Sequence, residues 1–275
     1  MVELMNEKIE NAKSYPFFIP ASSYLFVNNE YFNVIEWGEE FKDSKILVTD
    51  KPLKLGDYLR GISAQDIMDF DDCVPILAYG SNGSPEQLTR KFAPCRSPVV
   101  IPVVKARLYD FDVVYSAHLA KYGSIPATLQ YSPGTVANVF VIYLSEMLLP
   151  QMHKTETIGT NYRYGKLFNI QLCLENSANL TEISLYLSLH GCLYINNSHI
   201  SLSAVSAQNR KFPQMSETEV LNATKELLES SNISLDTFIL ENIENPAKRK
   251  ERTDLLEHSA TDFTYDHFHV LEGQG

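Results

Sequence analysis

The stretch from Val74 to Leu88 constrains the fold of this chain more than any other. Val74-Pro75-Ile76-Leu77-Ala78-Tyr79 is a short apolar run with the length of a buried strand, and it stops abruptly at Gly80-Ser81-Asn82-Gly83. Ser84-Pro85-Glu86-Gln87-Leu88 then reads as a helix start, with Ser84 as N-cap, Pro85 at the first helical position and Gln87 closing a capping box. Strand, tight polar turn and helix N-terminus in succession aim several backbone N–H groups at one spot, which suits a carboxylate or carbonyl oxygen. Taken alone, the turn reads first as an ordinary link, with Gly free to take a positive φ and Asn bonding locally.

Short β-like runs interspersed with helices fill the rest of the chain, which is the pattern of an α+β protein. Ahead of Val74, Tyr24–Val27 and Tyr31–Ile35 flank Asn28-Asn29-Glu30 as a hairpin, and Lys45–Val48 and Pro52–Leu55 bracket Asp50-Lys51 as a second. Glu36, Glu39 and Glu40 beside Trp37 read as the polar face of a short helix, and the acidic run 69–72 as a solvated connection. After the turn, β-like runs follow at Val99–Val104, Phe111–Tyr115, Ala127–Gln130, Val136–Tyr143 and Tyr164–Leu174, with a helix over Ser145–Met152. Leu185–Leu189 and Gly191–Ile195 read as a strand pair, and Ser216-Glu217-Thr218-Glu219 as a capping box opening a helix to about Leu228. The expected division is a hairpin-rich N-terminal extension over 1–72, a main domain over 73–235 and a peripheral C-terminal segment over 236–275.

Charge and cysteine usage remove whole classes of function. The formal net charge of −11 argues against a phosphate-binding surface, and the short basic run Lys248-Arg249-Lys250 is flanked by acids. Nucleic acid is therefore not an expected partner. Cys73, Cys95, Cys173 and Cys192 are too scattered for a zinc site and read as reduced, buried thiols. The first thirteen residues are polar, unlike a signal peptide, and no apolar stretch reaches the roughly 18 residues of a membrane span. A cytoplasmic protein without membrane contact is expected. Ser81 does not stand in Gly-x-Ser-x-Gly, and Gly80–Ser84 lacks the Gly-Lys-Ser/Thr ending of a P-loop. His118 and His190 have no ligand-spaced partners, so structural roles are expected for both.

Ala78-Tyr79-Gly80-Ser81-Asn82 resembles the hallmark loop of the gamma-glutamylcyclotransferase-like group, placed after a first strand and before a helix as in that family. Ala127-Thr128-Leu129 and Ser132-Pro133-Gly134 resemble its second motif, and Leu148–Glu156 matches the approach to its catalytic Glu. The resemblance covers roughly residues 75–170 and continues more weakly to the helix after Met215. It implies a small mixed β-barrel-like sheet flanked by helices, with the N-terminal region as an extension. It also implies release of 5-oxoproline from a small gamma-glutamyl substrate, with Glu156 as general acid/base and Tyr79, Gly80, Ser81 and Asn82 holding the substrate's oxygens. No metal or organic cofactor is called for. Tyr162 stands where the family carries an aromatic, and reads equally as pocket wall or core residue. Glu156 by itself reads as an exposed acid beside Lys154, His153 as a surface or supporting residue.

One departure is Ala137-Asn138-Val139-Phe140, where the family has a Gly. That change and the extension favour a binding module that has lost turnover; the loop together with Glu156 favours an enzyme. A third reading is a hydrolase or acyltransferase on gamma-glutamyl-modified proteins, with residues 1–72 docking a protein partner.

Overall fold

The computed structural model describes residues 2–62, 64, 73–95, 98–229 and 232–273; the acidic run 69–72 lies outside them. The chain starts with helix α1 (Val2–Lys13), where only polar sequence was expected. It continues through strands β1 (Tyr24–Val27), β2 (Glu30–Glu36), β3 (Lys45–Val48) and β4 (Lys51–Lys54) to the short helix α2 (Leu55–Gly61). Both expected hairpins form, on two-residue turns. Asn28 and Asn29 take φ of 46° and 78°, and Thr49 and Asp50 take 45° and 62°, the left-handed geometry whose twist matches paired strands. The helix expected near Glu36–Glu40 is absent: β2 runs through Glu36, and a single helical turn begins only at Phe41.

Next come β5 (Cys73–Ala78), helix α3 (Pro85–Phe92), β6 (Val100–Tyr115), β7 (Ala127–Ser145), helix α4 (Leu149–Glu156), β8 (Tyr162–Leu174) and β9 (Asn179–Ser188). Hydrogen bonding follows the order β7-β5-β9-β8-β6, and β6 pairs in turn with β7, closing a five-stranded barrel in an α+β fold. Two pairs of expected runs have merged into the long strands β6 and β7. In the stretches that join the runs, Asp110 in β6 and Gly134 in β7 take positive φ, 65° and 85°. Tyr194–Ile195 pairs with Ser198–His199 rather than with the segment before it. The chain ends in helices α5 (Glu217–Leu228), α6 (Leu235–Glu244) and α7 (Pro246–Glu257) and a C-terminal strand, Phe268–Glu272, that pairs with β8.

The chain forms two compact units. The first comprises Met1–Phe17, Tyr109–Ala137 and Leu187–Asp266, the second Phe18–Leu108, Asn138–Tyr186 and His267–Gly275. Within the second, β1 shows how the N-terminal hairpins join the unit. All four of its residues are buried, although strand side chains alternate between faces. Tyr24 and Phe26 enter the cluster that holds Ile76, Leu88 and Met152. Leu25 and Val27 enter a second cluster with Ile46, Leu55 and Leu59.

In the first unit the expected capping box of α5 is present in both directions: Glu219 N–H donates to Ser216 Oγ at 3.4 Å, and Ser216 N–H to Glu219 Oε2 at 2.7 Å. Its neighbour Glu217 is buried, with Oε1 taking the Ile125 N–H at 2.7 Å and Oε2 without a partner among the described residues. Burial pushes this carboxyl well above its ordinary value of 4.5. The unfolded chain releases that proton first, so stability is fullest below the unfolded value and is lost as pH rises through the folded one. Glu217→Gln is expected to be more stable than wild type at pH 8 and to lose that advantage near pH 4.5. Thermal unfolding at the two pH values checks this; an equal offset at both contradicts a protonated Glu217.

Candidate functional site

All residues of the site lie in the second unit. β5 ends at Ala78, and Ser81–Gly83 form one helical turn that leads into α3. Gly80 sits at φ −131°, so a left-handed glycine is not what shapes this turn. Its internal bonds run from Gly83 N–H to Gly80 O at 3.2 Å and from Ser84 N–H to Ser81 O at 2.9 Å. Those bonds leave the amides of Gly80, Ser81 and Asn82 out of the turn's own ladder. Two tyrosines tether the turn: the Tyr79 hydroxyl donates to the Tyr186 carbonyl, and the Tyr24 hydroxyl to the Gly83 carbonyl at 2.8 Å.

Ser84 and Pro85 occupy the expected N-cap and first helical positions, but the capping box does not form. Such a box needs the N-cap N–H for the Gln87 side chain, and Ser84 has already given it to Ser81. The Ser84 hydroxyl is left fully buried and without a partner among the described residues.

α4 spans Leu149–Glu156, one turn later than the sequence suggests, and stops at Thr157, whose φ is 50°. Glu156 is its last residue and shares a face with Met152 four residues before it, both buried. At 7% exposure Glu156 is not a surface acid. Its Oε1 accepts from Asn82 Nδ2 at 3.0 Å and from the Lys91 ammonium. Lys91 supplies the opposite charge that a carboxylate in this position requires. No donor among the described residues reaches Oε2. A carboxylate only accepts, so Asn82 must turn its NH2 toward Glu156. Its Oδ1 is then left buried with no donor. Turn and helix thus meet with two acceptor oxygens, Glu156 Oε2 and Asn82 Oδ1, unpartnered.

Beside the carboxylate lies an aromatic group. The Tyr186 hydroxyl and His153 Nδ1 are 2.8 Å apart, and the Tyr164 ring stands 4.6 Å from the imidazole and 5.3 Å from Tyr186. Burial, with Glu156 adding to it, pushes the Tyr186 phenol far above its ordinary value, so it remains a donor. Burial also lowers His153, against the opposing pull of Glu272 and Glu156. Nδ1 of a neutral imidazole is the acceptor this pairing needs.

Of the residues expected from sequence, the structure brings Asn82 against Glu156, while Gly80 and Ser81 present the turn between them and Tyr79. Tyr162 opens β8, partly buried against the cluster that holds Met152 and Tyr164. Ile158 packs on the same cluster. Phe140, from the strand that departs from the family pattern, pairs with Ala78 just before the turn. Lys91, Tyr164 and Tyr186 were not expected. Lys91 left one signal: it falls three residues after Leu88 and four after Gln87, on the buried face of α3. A lysine there needs a partner.

No protein-family model matches the chain, and no curated protein does. Among solved structures it is similar to an uncharacterized protein from Homo sapiens, at 14% identity over 71% of this chain and 93% of that one, with a TM-score of 0.36. It is also similar to a gamma-glutamyl cyclotransferase, at 15% identity over 70% and 92% of the two chains, with a TM-score of 0.35. A third is YkqA from Bacillus subtilis, at 14% identity over 71% and 62%, with a TM-score of 0.33. Among the described residues no helix is long and apolar enough to cross a membrane, and no group of three or more His, Cys, Asp or Glu could hold a metal ion.

Proposed function

We propose that the chain is a gamma-glutamyl cyclotransferase, releasing 5-oxoproline from a gamma-glutamyl amino acid, peptide or amine. The observation that carries this reading is the 3.0 Å contact of Asn82 with a buried Glu156, which ties the amide-bearing turn to a carboxylate whose second oxygen takes no donor among the described residues. In this mechanism Glu156 Oε2 takes a proton from the substrate's α-ammonium. The freed amine attacks the gamma-carbonyl of the same molecule, forming the ring C–N bond. Charge developing on the carbonyl oxygen is held by amides of Gly80, Ser81 and Asn82. Glu156 hands its proton to the departing nitrogen as that bond breaks, then takes the second proton of the ring nitrogen and passes it to the released amine, which leaves as an ammonium. No water is consumed. Nucleophile and electrophile share one molecule, so holding it bent supplies much of the rate.

Mass-spectrometric detection of 5-oxoproline from gamma-glutamyl dipeptides, glutathione and gamma-glutamyl-lysine tests the proposal. Wild type is expected to release it from at least one of them. The Lys91 contact favours a second reading, a binding module in which the lysine simply neutralises a buried acid. Saturable binding of these compounds by the folded protein, with no product from any, would decide for that reading.

A further inference from the structure

The lysine on Glu156 is more than a general base needs, and its charge has a use. Lys91 and Glu156 form a pair with side chains 14% and 8% exposed, so solvent screens it little. Together they are electrically neutral and present one positive and one negative group side by side. A simple cationic amine seated on Glu156 would meet the Lys91 ammonium and be repelled. An α-amino acid head group would not, because its own carboxylate sits on the same carbon as its ammonium.

We propose that Lys91 is a specificity-determining residue that binds the substrate's α-carboxylate while Glu156 Oε2 and Asn82 Oδ1 hold its α-ammonium. The inference rests on the reading of this site as one for gamma-glutamyl compounds. Three features of the site carry it. Two acceptors, Glu156 Oε2 and the buried Asn82 Oδ1, stand without donors among the described residues, as an ammonium requires. Lys91 has three N–H donors; one is on Glu156 Oε1, and another faces only the Met152 sulfur at 3.8 Å. The ammonium is also held in place before binding, by its pair with Glu156 Oε1, so less of its ordering is left for the ligand to supply. A head group whose ammonium sits on Oε2 brings its carboxylate toward an ammonium already bonded to Oε1 of the same side chain.

NMR titration of the full chain with L-norleucine and with L-norleucinamide tests this. Both carry the ammonium, only the first carries the carboxylate, and neither has a gamma-carbonyl that could cyclise. Wild type is expected to bind norleucine about 10- to 100-fold tighter, the range of a charge-assisted hydrogen bond. Lys91→Met should bring the two affinities together, and Lys91→Arg should keep them apart; Lys91→Gln serves if Lys91→Met does not fold. Equal binding by wild type, binding of neither compound, or a preference that survives loss of the lysine would overturn the proposal. Discrimination without 5-oxoproline release from any substrate would sink the cyclotransferase reading and leave the role of Lys91. Release without discrimination would do the reverse.

Discussion

In Glu156→Gln, release of 5-oxoproline is expected to fall by about 10²- to 10⁴-fold, the usual contribution of a positioned acid or base. The amide keeps the size of the side chain and can still accept from Asn82 and Lys91, but it cannot carry a proton from one nitrogen to another. The substitution also strands the Lys91 ammonium, which is only 14% exposed, so the variant should unfold at a lower temperature than wild type. Adding Lys91→Met removes that stranded charge. The double variant is therefore expected to regain thermal stability without regaining activity. Activity that returned together with stability would mean that Glu156 holds the site together and does no chemistry.

The second large effect is structural. Arg252 is 3% exposed in the first unit, its Nε donating to Glu229 at 2.7 Å, Nη1 to Asn242 Oδ1 at 2.6 Å and Nη2 to Glu241 at 2.6 Å, with the guanidinium 4.3 Å from the Phe238 ring centroid. Arg252→Ala leaves the largely buried Glu229 without the Arg252 cation, Glu241 with Lys248 alone, and the Asn242 amide oxygen without its donor. The expected loss is about 3–5 kcal/mol, a large part of a typical protein's stability of about 5–15 kcal/mol. Arg252→Lys should recover little, because one ammonium cannot reach three acceptors that a planar fork meets at once. Urea unfolding of both variants measures this. A loss below about 1 kcal/mol for Arg252→Ala would mean that the cluster behaves as a screened surface network.

Local chemistry made part of this molecule legible. The strand–turn–helix at Val74–Leu88, the Asn28–Asn29 hairpin and the Ser216/Glu219 capping box each depend on residues a few positions apart, and all three are present. Helix α2 was hidden because Leu53 and Leu55 alternate like a strand, while the pair that decides is Leu55 and Leu59, buried four residues apart. α1 was hidden for another reason: its polar composition masks Ile9 and Ala12, the two positions buried among its described residues. In the site, the turn and Glu156 could be named from their motifs. Lys91 could not, since its contact with Glu156 spans 65 residues and exists only once α3 lies beside α4. Ser84 shows the opposite failure, a correct local signature overridden by a turn that had already used its N–H.

Running the reaction in ¹⁸O-labelled water, with a gamma-glutamyl dipeptide as substrate and mass analysis of both products, tests the central claim most directly. Cyclisation by the substrate's own amine predicts 5-oxoproline free of label, in equal amount to the released amino acid. Glutamate carrying one ¹⁸O would mean that water is the nucleophile and that the site is hydrolytic, which contradicts the account.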